Sequence, residues 1–439
     1  MEDRQDLMLY GSENTTFGDK VCALVLALAP LLQHYKGIVQ NAGFTVLLLI
    51  TPMLFLRTYY KLKMGLVNKK CFYAIIPLIL FYLYTILIRD FNVMRLGYVL
   101  LLSWIFFCVS NGSINISYFF KYAKRIAVLA TIAIIIQFIA HNFLGRTIDF
   151  RPLSLLVTQQ NIWVRNSVNY GAAGFMFRPS GFFLEPSHFF LYSFPIITVL
   201  LLSINRDKRS VQTALFLSLG LLLSTSGMGI AVVFGLWTLY FLIYKKVKDY
   251  TLSSIISQVS VRSVVIVILL GIVLFLAYRF VPFIQNAIDR VFVEDETSNA
   301  IEGRTRLVKD FVRGIKGRAV WFGRPNVIED LDFNIPGFFA TYIKWGIVGL
   351  IFSYWFYGQG LFKLKGPYFW LTLIVIVISY FTAHTHGTFY MLYFVVFLMN
   401  GYYESSVSSS IDESSIDESS FDESSFDESS IDESSIVET

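Results

Sequence analysis

The residues best suited to chemistry in this chain gather in one run, Arg178-Pro179-Ser180-Gly181-Phe182-Phe183-Leu184-Glu185-Pro186-Ser187-His188. Pro179 and Gly181 suit a turn, and Pro186 suits the first turn of a helix. Glu185 therefore falls at a helix N-terminus, bordering an apolar stretch. A carboxylate there is costly in lipid and calls for a partner, of which Arg178 is the obvious one. Two readings stay open: a functional pair, or a structural Arg–Glu pair that caps an interfacial helix. His188 lies one turn further in, on the face of Glu185, where packing or hydrogen bonding is the ordinary role. A second pair, His384-Thr385-His386, has a spacing of two that puts the rings on different helix faces, a weak arrangement for a metal. The acidic cluster Glu294-Asp295-Glu296 reads as a solvated loop. No His-Glu-x-x-His, cysteine pair or phosphate-cradling glycine loop occurs, so the expectation is no metal and no cofactor.

The elements that must hold these groups are apolar helices. Hydrophobic residues make up 55% and charged residues 15% of the 439, with a mean hydropathy of +0.59. A soluble domain carries about 25% charged residues, and a surface this apolar cannot face water. In lipid, backbone groups must be satisfied within helices or closed barrels. Runs such as Val264–Ala277 show no alternation, which favours helices. No small-residue cleavage site follows Lys20, so no cleavable signal peptide is expected. Cys22, Cys71 and Cys108 sit in apolar segments and read as buried thiols.

At roughly 20 residues per span, helices are expected near 19–35, 41–57, 71–89, 93–110, 122–143, 183–204, 211–225, 227–244, 261–281, 336–357, 367–383 and 385–403. The fold class expected is thus an all-α polytopic membrane protein of about twelve transmembrane helices (11–13) over residues 1–403. Basic clusters at Arg57–Lys70, Lys121–Arg125, Arg206–Arg209, Lys245–Lys248 and Lys363–Lys365 alternate correctly with that count. The positive-inside rule makes all five cytoplasmic, with both termini inside. Two large extracytoplasmic loops remain, about 145–182 and 282–335, and long loops are where function concentrates. The expected inner side carries 13 Lys and 6 Arg, and the remainder 4 Lys and 13 Arg. Arginine is favoured where phosphate or carboxylate is gripped by two parallel hydrogen bonds.

All 36 basic residues precede position 404, giving the body a net +17, while the last segment holds 12 acidic residues and no basic one. Anionic lipid or phosphate ligands explain a basic membrane body better than nucleic acid does, since no soluble basic domain exists. Residues 404–439 carry a five-residue repeat, Ile411-Asp-Glu-Ser-Ser and its successors, and are expected to be a disordered acidic tail.

Arg-x-x-Gly-x-x-x-Glu-Pro-Ser leading into a helix resembles the signature of Wzy-type O-antigen and polysaccharide repeat-unit polymerases. The resemblance covers roughly residues 120–360. It takes in the small-residue turn Ser224-Thr-Ser-Gly-Met-Gly229, Gly303-Arg304-Thr305-Arg306 and Gly346-Ile-Val-Gly349. Many relatives have an arginine in the small-residue turn, where this chain has Met228. The resemblance implies a metal-independent glycosyltransferase of a bacterial inner (cytoplasmic) membrane. It would move a growing glycan from undecaprenyl pyrophosphate onto a sugar hydroxyl of a second lipid-linked repeat unit. Negative charge then develops on the leaving pyrophosphate, where arginines would stabilise it. Arg178, Arg304 and Arg306 are first choices, with Arg165 and Arg324 as further substrate contacts, while Arg151, Arg290, Arg313 and Arg318 include surface or lipid-headgroup contacts. Glu185 is the best-placed general base, His384 is the alternative, and His188 and His386 are placed with the substrate. Expected partners are the lipid-linked oligosaccharide, membrane lipids, a chain-length regulator and a flippase.

The second loop should also contain a helix from Arg304 to about Gly317, with Leu307, Val308, Phe311, Val312 and Ile315 on one face. It either lies in the membrane interface or packs on the bundle. Trp163, Tyr170, Trp321 and Phe322 either stack on sugars or anchor the interface. Two alternative functions stand beside polymerisation. One is an O-antigen-ligase-like transfer to a different acceptor. The other is a lipid-linked oligosaccharide flippase, which Lys344 in the tenth helix fits better.

Overall fold

The computed structural model describes residues 16–38, 41–65, 69–88, 93–152, 155–156, 178–203, 206–242, 261–280, 285, 308, 312–324, 335–382 and 388–419. These form an all-α protein of multi-pass membrane type. Its helices are α1 (Phe17–Leu32), α2 (Ala42–Lys63), α3 (Lys69–Ile88), α4 (Val93–Ser110), α5 (Ile116–Leu144), α6 (Pro186–Leu202) and α7 (Lys208–Leu223). They continue with α8 (Gly227–Leu242), α9 (Val261–Phe280), α10 (Arg318–Phe322), α11 (Gly337–Lys363), α12 (Gly366–Ser379) and α13 (Thr388–Ser419). A helix lies in each of the twelve expected segments, and α10 is added within the second loop. Five of them, α2, α3, α4, α5 and α11, are long and apolar enough to cross a membrane.

Local chemistry sets several starts. Thr16 and Asp19 form a capping box on α1, Asn41 caps α2 through the Phe44 amide, and Asn115 caps α5 through that of Tyr118. Asp207 caps α7, and the Ser210 hydroxyl and amide hold its carboxyl below the usual range. Asp19, buried at the start of α1, is ion-paired with Arg57 near the end of α2.

Two helical stretches are buried on every side. In α6, from Pro186 to Leu202, nearly every residue is enclosed, and in α13 the whole run Phe389–Met399 is. A helix apolar all round belongs inside a larger bundle. α13 is the hub: α1, α3, α4, α5, α6, α11 and α12 all touch it. Hydroxyls pin the two buried helices together, with Tyr390 donating to the His188 carbonyl at 3.1 Å and Tyr393 to the Tyr192 carbonyl at 3.0 Å. Cys22, Cys71 and Cys108 are buried free thiols, as their settings implied.

Two segments differ from expectation. α6 starts at Pro186, not at 183, because proline disfavours helix in the preceding residue and Glu185 is extended (φ −139°, ψ 159°). α13 runs to Ser419, past the point at Glu404 where the disordered tail was to begin. Elongating an existing helix is far cheaper than starting one, and Glu404 is held in the bundle by Tyr368 and Asn400, each at 3.1 Å. Residues 420–439 lie outside the described residues. Of the helix expected over 304–317, Val308 and 312–317 are described. Val308 and Ile315 are buried against Ile335 and Ile343, while Arg313 and Lys316 are exposed. That face packs on the bundle.

Candidate functional site

The run singled out by its residue types is not a surface loop. From Pro179 to Leu184 it is non-helical and largely buried, inserted beside the middle of α5. Backbone without helix bonds is tolerated at such depth only where protein satisfies it. Gln137 of α5, itself 2% exposed, does so. Its Oε1 accepts from the Ser180 amide at 3.1 Å and the Gly181 amide at 2.8 Å. Its Nε2 donates to the Gly181 carbonyl and to the Ile148 carbonyl, both at 3.1 Å. One side chain thus ties the strand leaving α5 to the strand entering α6. Glycine is required at 181: φ is +63°, and a Cβ would stand 2.9 Å from the Ala130 carbonyl oxygen.

Arg178, at the start of the inserted run, is half-buried and donates to the Thr225 carbonyl at 3.3 Å. Thr225 has φ +54°, a left-handed conformation rare for a β-branched residue. It belongs to the buried turn Ser224–Ser226 that joins α7 to α8. The small-residue turn has no arginine of its own, and Arg178 brings the cation to it from another segment. Glu185, at the other end of the run, keeps its carboxylate clear of the helix cap and accepts from the Ser187 hydroxyl at 2.9 Å. The direct Arg178–Glu185 pair that the sequence suggests is not among the described contacts. Gln137 pins the middle of the run, so its two ends serve different neighbours.

His188 makes a contact with no local sequence signal. Its Nδ1 lies 2.7 Å from Nε2 of His34, on the connection between α1 and α2. Next to it, the Tyr35 hydroxyl reaches the Phe182 carbonyl at 3.4 Å, and the Lys36 amide donates to the Leu155 carbonyl at 2.7 Å. Arg151 is also different from expectation. It is not a headgroup contact: its guanidinium clasps both Asp149 oxygens (2.7 and 2.9 Å) and the Leu184 carbonyl (2.8 Å), leaving the side chain 8% exposed. A carboxylate two residues away, in the geometry of a fork, outcompetes solvent for it.

Arg324 stands apart from this group. α10 docks on α11 where α11 breaks at Gly346 (φ +66°, ψ −165°). The Arg324 amide takes up the Ile343 carbonyl at 2.8 Å, and the Tyr84 hydroxyl takes up that of Trp345 at 2.8 Å. A Cβ on Gly346 would collide with the Trp321 carbonyl, so the docking needs glycine there. The Arg324 residue is exposed beside it. Arg165, Arg304, Arg306, His384 and His386 lie outside the described residues.

Helix lengths give the site its setting. With 17 residues α6 is about 25 Å long, α7 with 16 about 24 Å, and α12 with 14 about 21 Å. Each falls short of a hydrocarbon core of about 30 Å. α6 touches the other two. Glu185 stands at the start of α6 and the Ser224–Ser226 turn at the end of α7. An arginine and a carboxylate at the two ends of one buried run suit a negatively charged ligand and a proton to be removed. Among the described residues no cluster of three or more metal-ligating side chains occurs. In comparisons with known proteins, the chain matches no family model and no curated protein.

Proposed function

We propose that the chain polymerises undecaprenyl-pyrophosphate-linked oligosaccharide repeat units into O-antigen or capsular polysaccharide, on the outer face of a bacterial cytoplasmic membrane. The observation that carries this reading is the meeting of Arg178 with the Ser224–Ser226 turn, at one end of a buried run whose other end is Glu185. Two motifs that look independent in sequence converge there. In this reading the twelve helical segments all span, both termini are cytoplasmic, and the short helices α6, α7 and α12 leave a recess that opens outward.

Arg178 would face the pyrophosphate as its bond to the anomeric carbon breaks and the electron pair moves onto the phosphate oxygen. Pre-oriented donors stabilise such charge without reorganising. Glu185 would take the proton from the acceptor hydroxyl as that oxygen bonds to the anomeric carbon. The energy is carried by the donor, and no nucleotide is called for.

A flippase reading has one observation in its favour, the break of α11 at Gly346 beside Lys344, since broken helices recur in transporters. Deleting the gene separates the readings. Polymerase loss leaves surface glycan of single repeat units, and flippase loss leaves no lipid-linked sugar on the outer leaflet. Continued long-chain polymer in the deletion strain overturns the proposal.

A further inference from the structure

We infer that His34 is a positioning residue for this site, acting through a proton shared with His188. The two rings come from elements 154 residues apart, yet their nitrogens meet at 2.7 Å, with ring centroids 4.5 Å apart and planes inclined by 48°. Both residues are buried, at 9% and 1% exposure. An N–H···N bond needs one proton on the line between the rings. Two neutral imidazoles satisfy that, as does one neutral ring with one cation, but two cations would face donor to donor. The bridge therefore couples the two neutral tautomers: with His34 as donor both rings carry hydrogen on Nε2, and with His188 as donor both carry it on Nδ1. By that route His34 sets the tautomer of His188 and hence what the remaining nitrogen, Nε2, presents.

His188 stands one helical turn below Glu185, and the Glu185 carbonyl accepts its amide at 3.1 Å. The other side of its ring meets the edge of Tyr390 on α13 at 5.6 Å. The His34 side is secured in turn: Tyr35 packs on Leu156 and Leu184, beside the bonds of Tyr35 and Lys36 to the two strands of the large loop. The connection between α1 and α2 thus reaches the exit from α5, the inserted run and the start of α6. A phenylalanine would fill the space at position 34 without burying two polar nitrogens, a burial that costs unless they are bonded. The imidazole is used for its nitrogen, and what that nitrogen orients is the turn of helix bearing Glu185.

The effect on chain growth rests on the polymerase reading, whereas the effect on Glu185 does not. The test uses the full chain in lipid nanodiscs, labelled with ¹⁵N-histidine and ¹³C-glutamate. Wild type should show a nitrogen–nitrogen coupling across the His34–His188 bond, and His34→Phe should lose it. The Glu185 carboxyl signal should move in His34→Phe and return in His34→Gln, whose amide can again bond to His188. Turnover in chain growth should fall about 10²-fold in His34→Phe, the scale of a small misplacement. The KM for lipid-linked units should hold, and His34→Gln should recover most of the loss. Absence of the coupling in wild type, or a Glu185 signal unmoved by His34→Phe, overturns the inference. So does failure of His34→Gln to restore that signal. If wild type extends no glycan, the polymerase reading falls and the two spectra still judge the pair.

Discussion

Replacing Arg178 with alanine will leave glycan as single repeat units while the protein remains in the membrane at its normal level. The guanidinium is the one described cation joined to the Ser224–Ser226 turn. Removing a pre-oriented donor from developing negative charge costs about 10²–10³ in rate. Its bond to the Thr225 carbonyl adds a structural share, since hydrogen bonds from charged groups contribute about 1.5–3 kcal/mol. Arg178→Lys separates the two shares: it keeps charge and loses the fork, and should grow short chains. Glu185→Gln should fail as Arg178→Ala does, with the Ser187 contact available to the amide oxygen. Chain lengths near normal in Arg178→Ala, read on a gel of surface glycan, would return the residue to a purely structural role.

Gln137→Leu should be as damaging, for a different reason. Leucine fills a similar volume but abandons the amides of Ser180 and Gly181 and the carbonyls of Gly181 and Ile148. Each buried group left unbonded costs about 1–3 kcal/mol, so the three on Ser180 and Gly181 together exceed what a local segment can bear. The inserted run should leave its place beside α5, taking Arg178 and Glu185 with it. A cysteine placed at position 180 reads this directly, because the native thiols are all buried. Ser180→Cys alone should resist a water-soluble maleimide, and adding Gln137→Leu should expose it. Equal resistance in both would show that Gln137 does not hold the run.

These residues mark where sequence reasoning reaches and where it stops. Helix positions are legible because lipid demands long apolar runs, and Glu185-Pro186 is legible because proline announces a helix start. Gln137 had a visible signal, an amide inside the run Ile134–Ile139, yet no spacing tied it to Ser180 and Gly181. His34 had none: its partner is 154 positions away and is found only by folding. Arg151 was grouped with the exposed arginines because its clasp on Asp149 depends on a backbone turn. The glycines of Gly346-Ile-Val-Gly349 were noticed as a pattern, but the break in α11 appears only when α10 docks against it. The basic skew of the second loop stays a sequence observation for Arg304 and Arg306, whereas Val308 and Ile315 are seen to pack.

The most direct test of the polymerase reading is chain length produced by the purified full-length protein in liposomes supplied with undecaprenyl-pyrophosphate-linked repeat units and no nucleotide. The expected result is a ladder of products lengthening by one repeat unit, absent when Arg178→Ala replaces the wild type. A wild-type preparation that leaves every unit single, in liposomes where the units stand on the face away from the termini, would contradict it.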